Sequence, residues 1–215
     1  MSKLRFNITM TLDGYVAGPN QSVEHPLGEG AEHLHDWAFK LKFFREMHGD
    51  EGGGETGTND DVLREAFANI GATIMGRNMF GGGPGPWAND PWTGWWGDNP
   101  PFHTPVFVLT HYAREPLVMQ GGTTFTFVTD GVESALEQAR EGAGGKDVSL
   151  GGGANVAQQY LAAGLIDEME LHVVPMILGS GARLFDNLSS ANVKLEPVRM
   201  IEAPGVTHLK YHIVK

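Results

Sequence analysis

Between residues 106 and 174 the chain alternates segments of strand-like and helix-like pattern, and that alternation leaves few architectures open. Residues 106–109 and 124–128 are short and apolar, 132–140 has helical spacing, 148–150 is apolar, 154–163 is again helical, and 169–174 is a further strand. Strands that alternate with helices pack as a mainly parallel sheet covered on both faces. Upstream, Leu4, Phe6, Ile8 and Met10 recur at every second position, the period of a half-buried strand. Residues 32–47 place Leu34, Trp37, Ala38, Leu41 and Phe44 on one helical face, with Gly49 as the stop. Thr58 or Asn59 is expected to cap a second helix, with Asp60 and Asp61 favourable in its first turn. Residues 72–75 form a short strand, and 193–200 with 206–214 form an antiparallel hairpin about Ala203-Pro204-Gly205. With no internal repeat and no linker, one domain over residues 1–215 is the expectation.

Composition narrows function. A formal net charge of -11 argues against a nucleic-acid surface, which needs clustered Lys and Arg. It does not exclude an anionic ligand, because backbone N–H groups at a helix start bind phosphate whatever the global charge. The absence of cysteine excludes disulfides, thiolate metal sites and cysteine nucleophiles together. The first residues, Met1-Ser2-Lys3-Leu4-Arg5, lack the apolar run of a signal peptide, and no stretch nears the ~18 apolar residues of a membrane span. A cytoplasmic location is therefore expected. The nine histidines show no metal-ligand spacing, so no metal is expected. His172, within a strand among apolar residues, is read as a core histidine.

The strongest chemical signal is Ser149-Leu150-Gly151-Gly152-Gly153-Ala154-Asn155, a glycine run between a strand and an amphipathic helix. Glycine lets backbone approach a ligand closely, and the helix start presents unpaired N–H groups and partial positive charge. A pyrophosphate fits such a place; a tight turn without ligand is the plainer alternative. The run is not a Walker A loop, since Gly145-Lys146 is followed by Asp147. It is not a dinucleotide fingerprint of the G-x-G-x-x-G kind either, because Val156 stands where the third small residue belongs.

Three segments together resemble the dihydrofolate-reductase-like superfamily, and within it the branch of the riboflavin-biosynthesis reductase domain. They are MTLDGYVAG at residues 10–18, IMGRNMF at 74–80 (with Asn78 where threonine is usual), and GGGANVAQQYLAAGLIDEMELHVVPMILGSGARLF at 151–185. The resemblance implies a three-layer dihydrofolate-reductase-like α/β fold, with a mostly parallel central sheet and an antiparallel C-terminal hairpin. It also implies an NADPH-dependent reductase of a small pterin- or pyrimidine-like substrate, acting as a homodimer. Carried over by position, Gly151, Gly152, Gly153 and Asn155 would receive the pyrophosphate. Gly76, Arg77 and Thr110 would lie on the adenosine side, and Val16 and Ala17 would offer backbone groups to the nicotinamide carboxamide. Arginine suits a phosphate because its planar fork pairs two oxygens at once; a surface ion pair is the alternative for Arg77.

Asp13, at the end of a strand beside the expected nicotinamide site, is the candidate catalytic carboxylate, although Asp before Gly is also a turn residue. Asp60 and Asp61 are weaker candidates. Residues 81–105, rich in Gly, Pro and Trp, would supply either an aromatic wall for a flat heterocycle or a loop packed on the core or on a partner subunit. The chief rival reading is a non-catalytic NADPH-binding or regulatory protein of the same fold.

Overall fold

A computed structural model describes residues 2–50, 52–87, 92–188 and 192–215. In chain order the strands are β1 (Leu4–Thr11), β2 (Tyr15–Ala17), β3 (Ile70–Gly76), β4 (Pro105–Leu109), β5 (Leu117–Val118), β6 (Thr124–Val128), β7 (Asp147–Gly152), β8 (Glu168–Val174), β9 (Ala182–Arg183), β10 (Lys194–Ala203) and β11 (Val206–Val214). The helices are α1 (Asp36–Phe39), α2 (Lys42–Met47), α3 (Thr58–Phe67), α4 (Arg77–Phe80), α5 (Val132–Gly142) and α6 (Ala154–Ala162).

Nine strands form one sheet in the order β10-β11-β8-β1-β7-β3-β4-β6-β5. From β8 through β6 every pairing is parallel; β11 runs antiparallel to β8 and β10, and β5 antiparallel to β6. The mostly parallel sheet with a C-terminal hairpin is thus as the sequence pattern requires. β2 and β9 make a separate two-stranded ribbon.

Alternation along the strands divides the core between two faces. On one face Leu4, Phe6, Ala72, Ile74, Val148 and Leu150 meet Ala135, Leu136 and Ala139 of α5 and Ala157, Tyr160 and Leu161 of α6. Burying each large side chain there contributes about 1.5–3 kcal/mol. The Tyr160 hydroxyl, inside that layer, donates to Val132 O at 2.8 Å and ties α6 to α5. The other face carries two separate clusters. Leu34, Trp37, Ala38, Leu41 and Leu63 pack with Val174 and Val206 over one half of the sheet. Met75, Phe80, Val106, Val108, Phe125 and Phe127 pack with Trp87, Trp92, Trp96 and Phe102 over the other. The strands between those clusters are β1 and β7.

Two local expectations are corrected. The helix expected over 32–47 is broken into α1 and α2 at Leu41, whose backbone is extended (φ -71, ψ 144). Lys42 N donates to Glu55 O and Glu55 N to Lys40 O, both at 2.8 Å, so the glycine-rich loop after α2 folds back and pairs with the break. The cap of α3 is Gly57, not Thr58 or Asn59, and no side chain caps it. Asp60 serves instead as a buried acceptor from Phe43 N at 2.6 Å and Arg64 Nε at 2.9 Å. Within 81–105, residues 88–91 lie outside the described part.

Candidate active site

The parallel strands point their carboxyl ends at one cleft of about 1240 Å³. Sheet ends of this kind gather ligand-binding loops because successive connections diverge there. At the centre stands the turn between β7 and α6. The end of β7 is bulged: Ile74 pairs with Leu150 and the next residue, Met75, with Gly152, leaving Gly151 as the extra residue. The Gly152–Gly153 peptide is cis. Gly153 then holds the cap position of α6 with no side-chain cap bond, so the first N–H groups of α6 are open to a ligand.

Of the residues named from sequence, Val16, Ala17, Gly76, Arg77, Thr110, Gly151, Gly153 and Asn155 line this one cleft. Gly152 does not: its backbone turns under the lining, where a Cβ would meet Ile8 Cδ1 at 3.6 Å. Val16 and Ala17 are carried on β2, held against β9 by the ribbon pairing of Tyr15 with Arg183 and Ala17 with Ala182. Gly76 is required by packing, since a Cβ there would stand 2.6 Å from Val156 Cγ2 of α6. The backbone N–H of Thr110 donates to Val128 O at 3.0 Å, and its hydroxyl accepts from Tyr112 N at 3.2 Å, which shapes the turn after β4. The Asn155 amide oxygen accepts from Gln159 Nε2 at 2.7 Å along the exposed side of α6.

Arg77 is more committed than its sequence position suggests. Its Nε donates to Gly81 O at 3.0 Å and its Nη2 to Gly82 O and Gly83 O at 3.1 and 3.0 Å. The Trp87 ring lies 3.1 Å from the guanidinium carbon, with Arg114 4.7 Å from the same ring. Burial first, and then the neighbouring Arg114, lowers the Arg77 pKa, yet a guanidinium stays charged at neutral pH. One donor, Nη1, is buried without a partner among the described residues.

Asp13 has the geometry of a loop staple. Its carboxylate accepts from Thr11 Oγ1 at 2.6 Å and Gly179 N at 2.8 Å, with Leu178 N at 3.2 Å, and it is not among the cleft-lining residues. The Thr11 hydroxyl, ahead of the backbone donors, holds the carboxyl below its usual range. The bonds fix the β1–β2 turn to the loop after β8. Asp60 and Asp61 also lie outside the cleft lining.

The tryptophan segment divides its indoles. Trp87, Trp92 and Trp95 donate their ring N–H to Tyr112 O, Phe80 O and Met79 O at 2.9, 2.7 and 3.0 Å, so the segment packs on its own sheet. Trp95 and Trp96 also line the cleft. All four indoles are half-buried.

Some lining residues were not singled out from sequence. Gly131 caps α5 without a side chain, beside Thr129, and repeats the strand–glycine–helix arrangement of residues 150–154. That repetition was a readable signal. Phe43, Phe67 and Met79 join the cleft only through tertiary placement.

A nicotinamide dinucleotide fits what is present. An uncapped helix start suits a diphosphate, the space before Gly153 is open to 4 Å around a notional Cβ, and Arg77 retains one unused donor.

Comparison with known proteins agrees with this architecture. The family model for the RibD C-terminal domain matches residues 2–209. A protein of Bacillus subtilis (strain 168), the uncharacterized YyaP, is 32% identical over 87 residues, which span 40% of this chain and 45% of that protein. Among solved structures, a putative riboflavin biosynthesis protein from Shewanella sp. PV-4 aligns over 100% of both chains with TM-score 0.59 at 20% identity. Dihydrofolate reductase from Enterococcus faecalis, complexed with NADP(H), aligns over 99% of this chain and 97% of its own with TM-score 0.54 at 14% identity. A Thermotoga maritima diaminohydroxyphosphoribosylaminopyrimidine deaminase/5-amino-6-(5-phosphoribosylamino)uracil reductase aligns over 99% of this chain and 57% of its own with TM-score 0.55 at 14% identity. With the family model covering nearly every residue and the fold shared with dihydrofolate reductase, the chain belongs to the RibD C-terminal domain family.

Proposed function

We propose that the protein is an NADPH-dependent reductase of a small heterocyclic substrate. The observation that carries the reading is the uncapped start of α6 in the cleft, whose lining also holds Gly151, Gly153, Val16 and Ala17. The N–H groups of the first α6 turn would receive the diphosphate, and the backbone of Val16 and Ala17 the carboxamide. When bound, the nicotinamide supplies a hydride; the chain's part is to hold the ring against the acceptor and to keep water away from both. Family membership supports a reductase, and the NADP(H) complex of the Enterococcus enzyme supports the cofactor class. A homodimer belongs to the same proposal. Light scattering at micromolar concentration should give twice the chain's 23.3 kDa, and a monomeric mass ends that part of it.

One observation favours the second reading, a nucleotide-binding regulator without turnover. The carboxylate that the sequence puts beside the nicotinamide, Asp13, is occupied by three protein donors. Turnover of NADPH with any member of a pterin, pyrimidine and quinone panel decides against it.

The test of the cofactor site is calorimetric titration with NADPH and NADH of wild type, Gly153→Ala and Gly153→Asp. Gly153 has φ -82 and nothing within 4 Å of a notional Cβ, so both variants should fold. NADPH should bind wild type most tightly, the alanine variant more weakly because its Cβ takes room at the cradle, and the aspartate variant weakest, at least about tenfold below wild type, a loss of about 1.4 kcal/mol or more. Absence of NADPH binding by wild type removes the proposal.

A further inference from the structure

The cleft continues past the glycine turn as a groove over the middle of the sheet, between the two clusters of the second face. Its floor is small: Gly151 of β7 and Thr73 of β3 both reach the lining. One wall belongs to α2 and the end of α3, where Phe43 and Phe67 brace one another with ring centroids 5.9 Å apart and Phe44 and Met47 continue the lining. The opposite wall belongs to the tryptophan segment, where Trp96 and Phe102 meet edge to face at 4.9 Å beside Trp95. Aromatic walls over a floor of small residues suit a flat ring, because a ring gains both contact area and quadrupole-matched packing.

Charge decides what that ring can carry. Among the described residues that line the cleft Arg77 is the one arginine, and there is no lysine. Arg77 is committed to the turn that packs on the tryptophan wall, with Nε and Nη2 bonded to the carbonyls of Gly81, Gly82 and Gly83. The cations near the helical wall are each held by a carboxylate and do not line the groove: Lys40 by Glu55 at 3.0 Å, Lys42 by Glu46 at 3.7 Å, Arg45 by Asp50 at 3.4 Å and Arg64 by Asp60 at 2.9 Å. His35, on the same side, is pushed down to about 4 by burial and so is neutral at pH 7. Glu24 and Glu32 at the mouth keep their carboxyls below the usual range through backbone hydrogen bonds and add negative charge. Apart from Arg77 and the imidazoles of His25, His48 and His111, a phosphate monoester between these walls would meet no cationic side chain among the described lining residues, and leaving water so poorly paired is costly.

We infer that this groove takes a flat, uncharged aromatic or heteroaromatic molecule and rejects its phosphorylated form. It would therefore differ from the phosphoribosyl substrate in the name of the Thermotoga reductase. Calling the occupant a substrate rests on the reductase reading; its charge preference does not.

The test uses one ring with and without a phosphate. Riboflavin and flavin mononucleotide are measured by equilibrium dialysis against the full chain, with and without saturating NADP⁺. Riboflavin should bind at least about tenfold more tightly than flavin mononucleotide. Met47→Arg, which adds a cation to the half-buried end of α2 on the groove wall, should narrow that ratio several-fold by strengthening the phosphorylated ligand alone. Equal or tighter binding of flavin mononucleotide by wild type overturns the inference, as does failure of both flavins to bind. NADPH titration of the same preparation separates the two readings. A lost cofactor with the riboflavin preference intact refutes only the reductase proposal, and the converse refutes only this one.

Discussion

His172 Nδ1 and His208 Nδ1 lie 2.8 Å apart inside the protein, so one of them, and only one, carries a proton on that nitrogen in the neutral pair. The partners at either end say which. Asn59 donates its NH₂ to Pro204 O at 3.1 Å, which turns its oxygen toward His208 Nε2 at 2.9 Å. His208 therefore donates through Nε2 and accepts through Nδ1, and His172 is the donor between the rings. His172 Nε2, 3.2 Å from the Asn7 amide, is then the acceptor, and Asn7 meets it with its NH₂ group after a half-turn of that amide.

This pair makes stability fall in acid. Burial first lowers His172 to about 3, helped by His208, His35 and Arg199, and burial then Arg199 lowers His208 to about 4. An ordinary histidine titrates near 6.5, so between about pH 6.5 and pH 3–4 the unfolded chain binds more protons than the folded one. Stability is therefore complete above that window and is lost as pH falls through it, by up to about 1.4 kcal/mol per pH unit for each histidine. Thermal melts at pH 7, 6 and 5 should show a falling Tm. A His172→Gln/His208→Gln double variant, less stable at pH 7, should show a flatter dependence; equal slopes would refute the assignment.

Gly76 and Val156 set the distance between β3 and α6. Gly76→Ala places a Cβ 2.6 Å from Val156 Cγ2 and should cost about 1–3 kcal/mol. At about 2–4 °C per kcal/mol that is readable in a melt. Adding Val156→Ala should return part of the loss, and a double variant no better than the sum of the two singles would show that the contact is not the cause.

Asp13→Asn should lower Tm while leaving NADPH affinity within about threefold, the behaviour of a loop staple rather than a group at the ring. If an accepted substrate is in hand, a hundredfold loss of kcat in a variant that melts normally restores Asp13 to a catalytic role.

Arg77→Lys keeps the charge but replaces a planar fork with a single ammonium, which cannot reach three carbonyls and stack on Trp87 together. Its tryptophan emission should shift to longer wavelength as Trp87 gains water. Unchanged emission would mean that the Gly81–Gly83 turn does not depend on the guanidinium.

The sheet was legible because its signals are local. Residues 124–128 are the observed β6, and the helix read at 154–163 differs from α6 by one residue, since apolar period and flanking glycines both agree there. The break at Leu41 was not legible, because its cause is a backbone pairing with Glu55 across an acidic loop while the side-chain pattern of 32–47 remains helical throughout. β2 and β9 are too short to show any period. Of the cleft, the glycine turn could be read and the tryptophan wall was one of two readings of 81–105, whereas the helical wall could not be read. Phe43, Phe44 and Phe67 look like ordinary core positions of two helices, and only the fold sets them opposite Trp95 and Trp96.

The position of β7 has a consequence for how such a protein can diverge. It is the fifth of nine strands, bonded in parallel to β1 on one side and β3 on the other, so its glycine turn cannot shift without breaking two ladders. The groove walls belong to no ladder of the sheet: they are held by packing and by single hydrogen bonds such as Trp92 to Phe80 O and Trp95 to Met79 O. Substitutions confined to 39–48 and 92–104 can therefore rewrite the shape of the groove while the turn at 151–153 stays where it is, and a library drawn on those two segments would vary the groove's ligands over a fixed glycine turn.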